Sequence, residues 1–115
     1  MSDGFHYIEV RVRYLLPEEG GRRTGVFSGY RGQFYYKGED CDGFQFFPGR
    51  PNEMVPLGTT VRAFVQFRRE RWNEVHSKRV ELGMPFEIRE GRRTVGRGTV
   101  TRIDVDDTEL DVEVE

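Results

Sequence analysis

The side chains able to do covalent or metal chemistry are few and poorly spaced for it. His6 and His76 are the only histidines and Cys41 the only cysteine. Neither histidine stands at a metal-ligand spacing from that cysteine. Cys41 lies between Asp40 and Asp42, whose charges raise a thiol pKa and leave a poor nucleophile. Carboxylate neighbours such as Glu18-Glu19 and Asp106-Asp107 read as solvent-facing groups rather than as a paired acid and base. No G-x-x-x-x-G-K-[ST] loop occurs and no guanine-specificity motif, so GTP binding and hydrolysis are not expected. A domain of this size also leaves little room for a preformed pocket. The expectation is a protein that is not an enzyme and takes no cofactor or metal.

Charge points instead to binding. The chain carries 18 basic and 20 acidic residues. Seven of the acidic ones (Asp104, Asp106, Asp107, Glu109, Asp111, Glu113 and Glu115) fall in the last twelve positions, where no basic residue occurs. The body before them therefore has a net charge of +5. A basic body with an acidic tail suits an anionic partner, and it equally suits a protein with a solubilising tail. A single cysteine excludes an internal disulfide and fits a reducing compartment. The chain starts at Met1 without a charged-then-apolar leader or a bilayer-length apolar run, so a soluble cytoplasmic protein away from membranes is expected.

The elements that must position any binding residues are strands. In Ile8-Glu9-Val10-Arg11-Val12-Arg13-Tyr14, apolar and charged side chains alternate, giving one buried face and one wet face. Val61, Ala63, Val65 and Phe67 repeat the pattern, with Phe64 as the exception. Phe34-Tyr35-Tyr36 and Phe44-Gln45-Phe46-Phe47 are short, aromatic and β-favouring. Phe86 and Ile88 alternate with Glu87 and Arg89, and the stretch from Val95 to Val105 slips once, predicting a bulge near Gly96 or Gly98. Asp42-Gly43 reads as a tight hairpin turn and Glu90-Gly91 as another. Arg68–Ser77 is read as either a long hairpin tip or one turn of helix carrying Trp72 and Val75. After Asp104, Leu110, Val112 and Val114 alternate with acids, as in an edge strand or a disordered tail. Short strands without a convincing helix between them predict an all-β barrel or sandwich, with no internal repeat or linker.

Three stretches carry a family resemblance. The first runs from Glu19-Gly20-Gly21-Arg22-Arg23-Thr24 through Gly29-Tyr30-Arg31-Gly32-Gln33-Phe34-Tyr35. The second is Phe86-Glu87-Ile88-Arg89-Glu90-Gly91-Arg92-Arg93-Thr94-Val95-Gly96-Arg97-Gly98. The third is Met54-Val55-Pro56-Leu57-Gly58. In this order they resemble the C-terminal barrel domain of elongation factor Tu, over roughly residues 5 to 104. The resemblance implies a six-stranded closed antiparallel barrel over residues 1–104, followed by an acidic extension over 105–115. Between Gly58 and His76 the chain is about six residues longer than the family pattern, an excess placed near Arg68–Asn73.

In that family the barrel helps to bind the T-stem of aminoacyl-tRNA. By position, the resemblance implies RNA contacts at Arg22, Arg23, Thr24, Gln33, His76, Gly91 and Arg93, with Arg92 and Arg97 as additions. Arginine forks suit phosphate oxygens, and threonine, glutamine and backbone amides suit 2′-hydroxyls. The opposing reading makes these arginines solvated surface residues paired locally with Glu87 or Glu90. A second class of partner is a protein of the translation machinery, since aromatics such as Phe27, Tyr30, Tyr35 and Trp72 serve as interface anchors where they are exposed. A homodimer, or a decoy for a partner or toxin of the elongation factor, belongs to the same class. The sequence does not fix the oligomeric state.

Overall fold

The computed structural model describes residues 4–50, 52–106 and 108–110. Its strands are β1 (Phe5–Tyr14), β2 (Gln33–Tyr36), β3 (Glu39–Cys41), β4 (Phe44–Phe46), β5 (Thr60–Arg68), β6 (Pro85–Glu90) and β7 (Arg93–Arg102). They pair antiparallel in one curled sheet, ordered β3-β2-β6-β7-β1-β5-β4. The alternation along β1 is borne out: Ile8, Val10, Val12 and Tyr14 are buried while Arg11 and Arg13 face outward. Phe64, the exception on β5, is buried on the outer side beneath Arg62, whose guanidinium lies 5.0 Å from the ring centre.

Two expectations about the sheet need correction. The sheet is an open half-barrel of seven strands, not a closed six-stranded barrel. The tight hairpin turn is also not at Asp42-Gly43. It is at Lys37-Gly38, where positive φ at both residues (48° and 82°) gives the turn that joins paired β2 and β3. The physical reason is shared. β3 and β4 have three residues each and sit at opposite edges of the sheet. Asp42-Gly43 carries the chain between those edges, which holds them within about 11 Å of each other. The crossing runs tight over the core, since a Cβ on Gly43 would lie 2.9 Å from Val65 and 3.1 Å from Phe34. With that path taken, β3 and β4 do not pair.

The seam is fastened elsewhere. The Gln45 N–H donates to the Tyr30 carbonyl at 2.9 Å, and the Gly29 N–H donates to the Gln45 carbonyl at 2.7 Å. This bridge uses the outward backbone groups of β4 that an edge strand would leave open. The Gln45 side chain is fully buried beneath it. Its Oε1 accepts from the Tyr14 hydroxyl at 3.2 Å, and its Nε2 donates to the carbonyls of Gly32 (3.0 Å) and Gly43.

The β7 bulge expected near Gly96 or Gly98 falls at Val95, which is extra in the pairing with β6. A second extra residue, Thr101, interrupts the pairing with β1. Within Arg68–Ser77 the helical alternative holds: α1 spans Arg69–Glu74 and buries Trp72. Trp72 stacks on His6 at 3.8 Å and packs against Phe67 at 5.5 Å. A six-residue helix is too short to persist on propensity alone, so this aromatic anchor holds it. Trp72 is therefore not an exposed interface residue. The edge-strand or tail reading of Val112 and Val114 lies outside the described residues, while Val105 is buried and Glu109 pairs with Arg102 at 2.7 Å.

Both histidines are structural. His6 donates from Nε2 to the Ile103 carbonyl at 2.8 Å, and His76 shares a 2.6 Å hydrogen bond between Nδ1 and the Tyr36 hydroxyl. Burial lowers both pKa values from the ordinary 6.5. Neutral imidazoles in the fold and chargeable ones in the unfolded chain set the sign: stability is complete above pH 6.5 and falls as pH drops below it. Glu9 adds a second stage. Burial opposes its ionisation, but hydrogen bonds from Arg102, Arg62 and Thr101 outweigh that and bring its pKa to about 2. Its contribution is present above pH 4.5 and lost as pH falls towards 2. Thermal melts from pH 8 to 3 should therefore decline in two steps, and His76→Gln should flatten the first. A flat melting temperature between pH 7 and 5 would contradict this.

Candidate nucleic-acid interface

Glu90 ends β6, and the Gly91-Arg92 turn that follows returns the chain into β7 through the Glu90–Arg93 pair, with Gly91 at φ 63°. The loop between β1 and β2 packs against this corner. A 3₁₀ turn at Pro17–Glu19 closes with Gly20 in the left-handed region, and the chain then runs through Arg22 and Thr24 towards Tyr30. The Glu90 carboxylate gathers these parts. One oxygen accepts from both the Arg22 guanidinium and the Tyr30 hydroxyl, and the other faces Arg93 at 3.4 Å. Arg22 also lies 5.0 Å over the Tyr30 ring and donates from Nε to the Thr24 carbonyl at 3.1 Å.

The electrostatics follow from this packing. Burial pushes the Glu90 carboxyl up, but the hydrogen bonds from Tyr30 and Arg22 and the Arg22 charge outweigh it, and the pKa is lowered. Burial together with the Glu90 bond raises the Tyr30 phenol. Around neutral pH the corner holds an ionised carboxylate between two arginines. Arg23 and Arg92 are exposed and have no ion pair among the described residues. The excess of positive charge at the corner therefore sits on groups free to turn outward.

Most of the residues singled out from sequence meet here. Arg22, Thr24, Gly91 and Arg93 surround Glu90, with Arg23 adjoining. Gln33 faces Arg89 in the ladder and lines a shallow depression with Tyr30, Arg31, Gly32 and Gly91. His76 does not join them. It is 2% exposed and bonded to Tyr36, so its placement among RNA-facing residues is corrected to a core role. Tyr35 lies under Arg89, whose guanidinium is 3.4 Å from the ring centre. Sequence reading treated Glu90 as a local counter-ion and Tyr30 as an exposed aromatic. Their partnership with Arg22, 68 positions from Glu90, had no local signal.

Burial, with Glu39, Asp42 and Asp40 nearby, pushes the Cys41 thiol up to about 12. Among the described residues, no group of three or more His, Cys, Asp or Glu side chains could hold a metal ion. No helix among them is long and apolar enough to cross a membrane.

A curled antiparallel sheet of this kind is that of a translation-factor-like module. The family model described as the elongation factor Tu C-terminal domain matches residues 5–104. The chain belongs to that family of non-catalytic domains.

Proposed function

We propose that this protein is a non-enzymatic, cytoplasmic binding module with a translation-related role, and that its corner around Glu90 binds duplex RNA such as a tRNA stem. The observation that carries this reading is the Glu90 carboxylate holding Arg22 and Arg93 side by side, with Arg23 and Arg92 exposed and without an ion pair among the described residues. Duplex RNA is recognised through phosphates and 2′-hydroxyls rather than base edges. Preset guanidiniums, the Thr24 hydroxyl, Gln33 and the Gly91 turn supply that chemistry. An Arg22→Ala/Arg93→Ala double variant should bind labelled tRNA at least tenfold more weakly at about 50 mM salt. The slope of log K against log salt should fall by about two, for two lost phosphate contacts. Unchanged affinity in fluorescence anisotropy would end this reading.

A second reading, as a protein-interaction module, is favoured by one feature. Phe27 and Met54 flank the Val26–Val55 bridge and are 52% and 48% exposed. Exposed neighbours of this kind suit an interface anchor. Recovery of a translation-machinery protein from nuclease-treated extract by the wild type, lost in Phe27→Ser, would support it over RNA.

A further inference from the structure

The outward face of β7, β1 and β5 carries an arrangement that the corner does not explain. Register places Arg13 opposite Arg97 on one side and Thr60 on the other. Two residues along β1, Arg11 stands opposite Thr99 and Arg62. The six positions form two rows of three on one face of three adjacent internal strands, holding four arginines, two threonines and no carboxylate. Like charges directly opposite across strands are destabilising, and here two such pairs adjoin. Strand-edge protection does not account for them, because these strands are all internal.

The surrounding acids compensate only half of the set. Glu19 holds Arg13 at 3.1 Å, and Glu9 holds Arg62 at 2.6 Å while also binding Arg102. Glu87 faces Arg97 in the ladder, but its carboxylate is engaged by Arg89 and Thr94. Arg11 and Arg97 are exposed without an ion pair among the described residues. They stand diagonally across adjacent strands, about 7–8 Å apart at Cα.

We propose that this face binds the phosphodiester backbone of double-stranded nucleic acid, with Arg11 and Arg97 as the phosphate contacts and Thr99 donating between them. The ligand class follows from the chemistry of the grid. None of its six positions is aromatic or apolar, so the grid offers neither a base-stacking platform nor the apolar anchor that a protein partner requires. Repeated phosphates, one charge per about 1.7 Å of duplex axis, can meet two separated guanidiniums at once. Phosphate contacts of this kind fix position and carry no sequence information. The proposal takes its ligand from the RNA-binding reading of the corner and adds a second surface, continuous with it along β7 from Arg93 to Arg97.

The test compares a labelled RNA duplex and a DNA duplex of equal length at about 50 mM salt, with polyglutamate as competitor. Arg11→Glu/Arg97→Glu should weaken both duplexes at least tenfold and lower the salt slope by about two. Arg11→Thr/Arg97→Thr should weaken binding while its melting temperature holds or rises, because like-charge pairs are removed; this separates a lost contact from a damaged fold. Polyglutamate at equal charge should compete at least tenfold less well than either duplex. Unchanged affinity for both duplexes in the Arg11/Arg97 variants overturns the proposal, and so does loss confined to one duplex or equal competition by polyglutamate. Loss in these variants with no effect of the Arg22/Arg93 pair keeps this surface and removes the corner. The reverse pattern removes this surface and keeps the corner, and a wild type that binds neither duplex removes both.

Discussion

Gln45→Leu is expected to cost about 3–4 kcal/mol, a large fraction of the stability of a domain this size. Leucine fits the volume but strands three partners at once: the Tyr14 hydroxyl and the carbonyls of Gly32 and Gly43. An unsatisfied buried polar group costs about 1–3 kcal/mol, and the added apolar burial offsets only part of the sum. The Tyr14 ring is enclosed by Tyr30 and Phe47, so its hydroxyl has no ready route to water. The damage should reach the Glu90 corner, because the Gly32 carbonyl belongs to the loop that presents Tyr30. Urea unfolding should show a lower midpoint, and labelled RNA should bind several-fold more weakly. Full stability in the leucine variant would mean that these hydrogen bonds contribute little.

Trp72→Ala should be comparably severe, at about 3–5 kcal/mol for an aromatic truncated inside a packed site. Here the loss has a specific geography. Trp72 is 7% exposed and is the buried residue of α1, so its removal should melt that helix and uncover His6. The His6 pKa, lowered chiefly by burial, should then return towards 6.5, which an NMR titration of the ring protons reads directly. Duplex binding at the Glu90 corner should stay within about twofold, since α1 packs on β1 and β5 instead. A native helix signature with an unmoved His6 titration would show that Trp72 is a bystander.

The contrast between these two sites marks where sequence reasoning succeeds. Period-two alternation in β1 and β5 follows from the geometry of an extended chain, so Val10, Val12, Val61 and Val65 declare their faces locally. The curl of the sheet is not declared that way. Whether β4 pairs with β3 or fastens to Tyr30 depends on backbone groups far apart in the chain, and a Gly-containing pair such as Asp42-Gly43 looks like a turn in either case. The second β7 bulge, at Thr101, was hidden because threonine suits both faces. At the corner, the motif residues Arg22 and Arg93 were identifiable one at a time, yet the carboxylate that unites them reads as an ordinary surface acid. His76 misled for the opposite reason: a polar residue in a family-matched position is core here, because Tyr36 supplies its partner inside.

Tyr30 has two jobs carried by different atoms. Its main-chain carbonyl ties the loop before β2 to the edge strand β4, and its phenol steadies the acid that aligns Arg22. Replacing the side chain leaves that carbonyl in place but removes both the phenol and the ring packed edge-on against Tyr14, so scaffold packing and the charge of the corner change together, whereas Arg23 and Arg92, tied to neither, can be exchanged one at a time. The freedom to retune affinity without disturbing the scaffold lies with those two arginines.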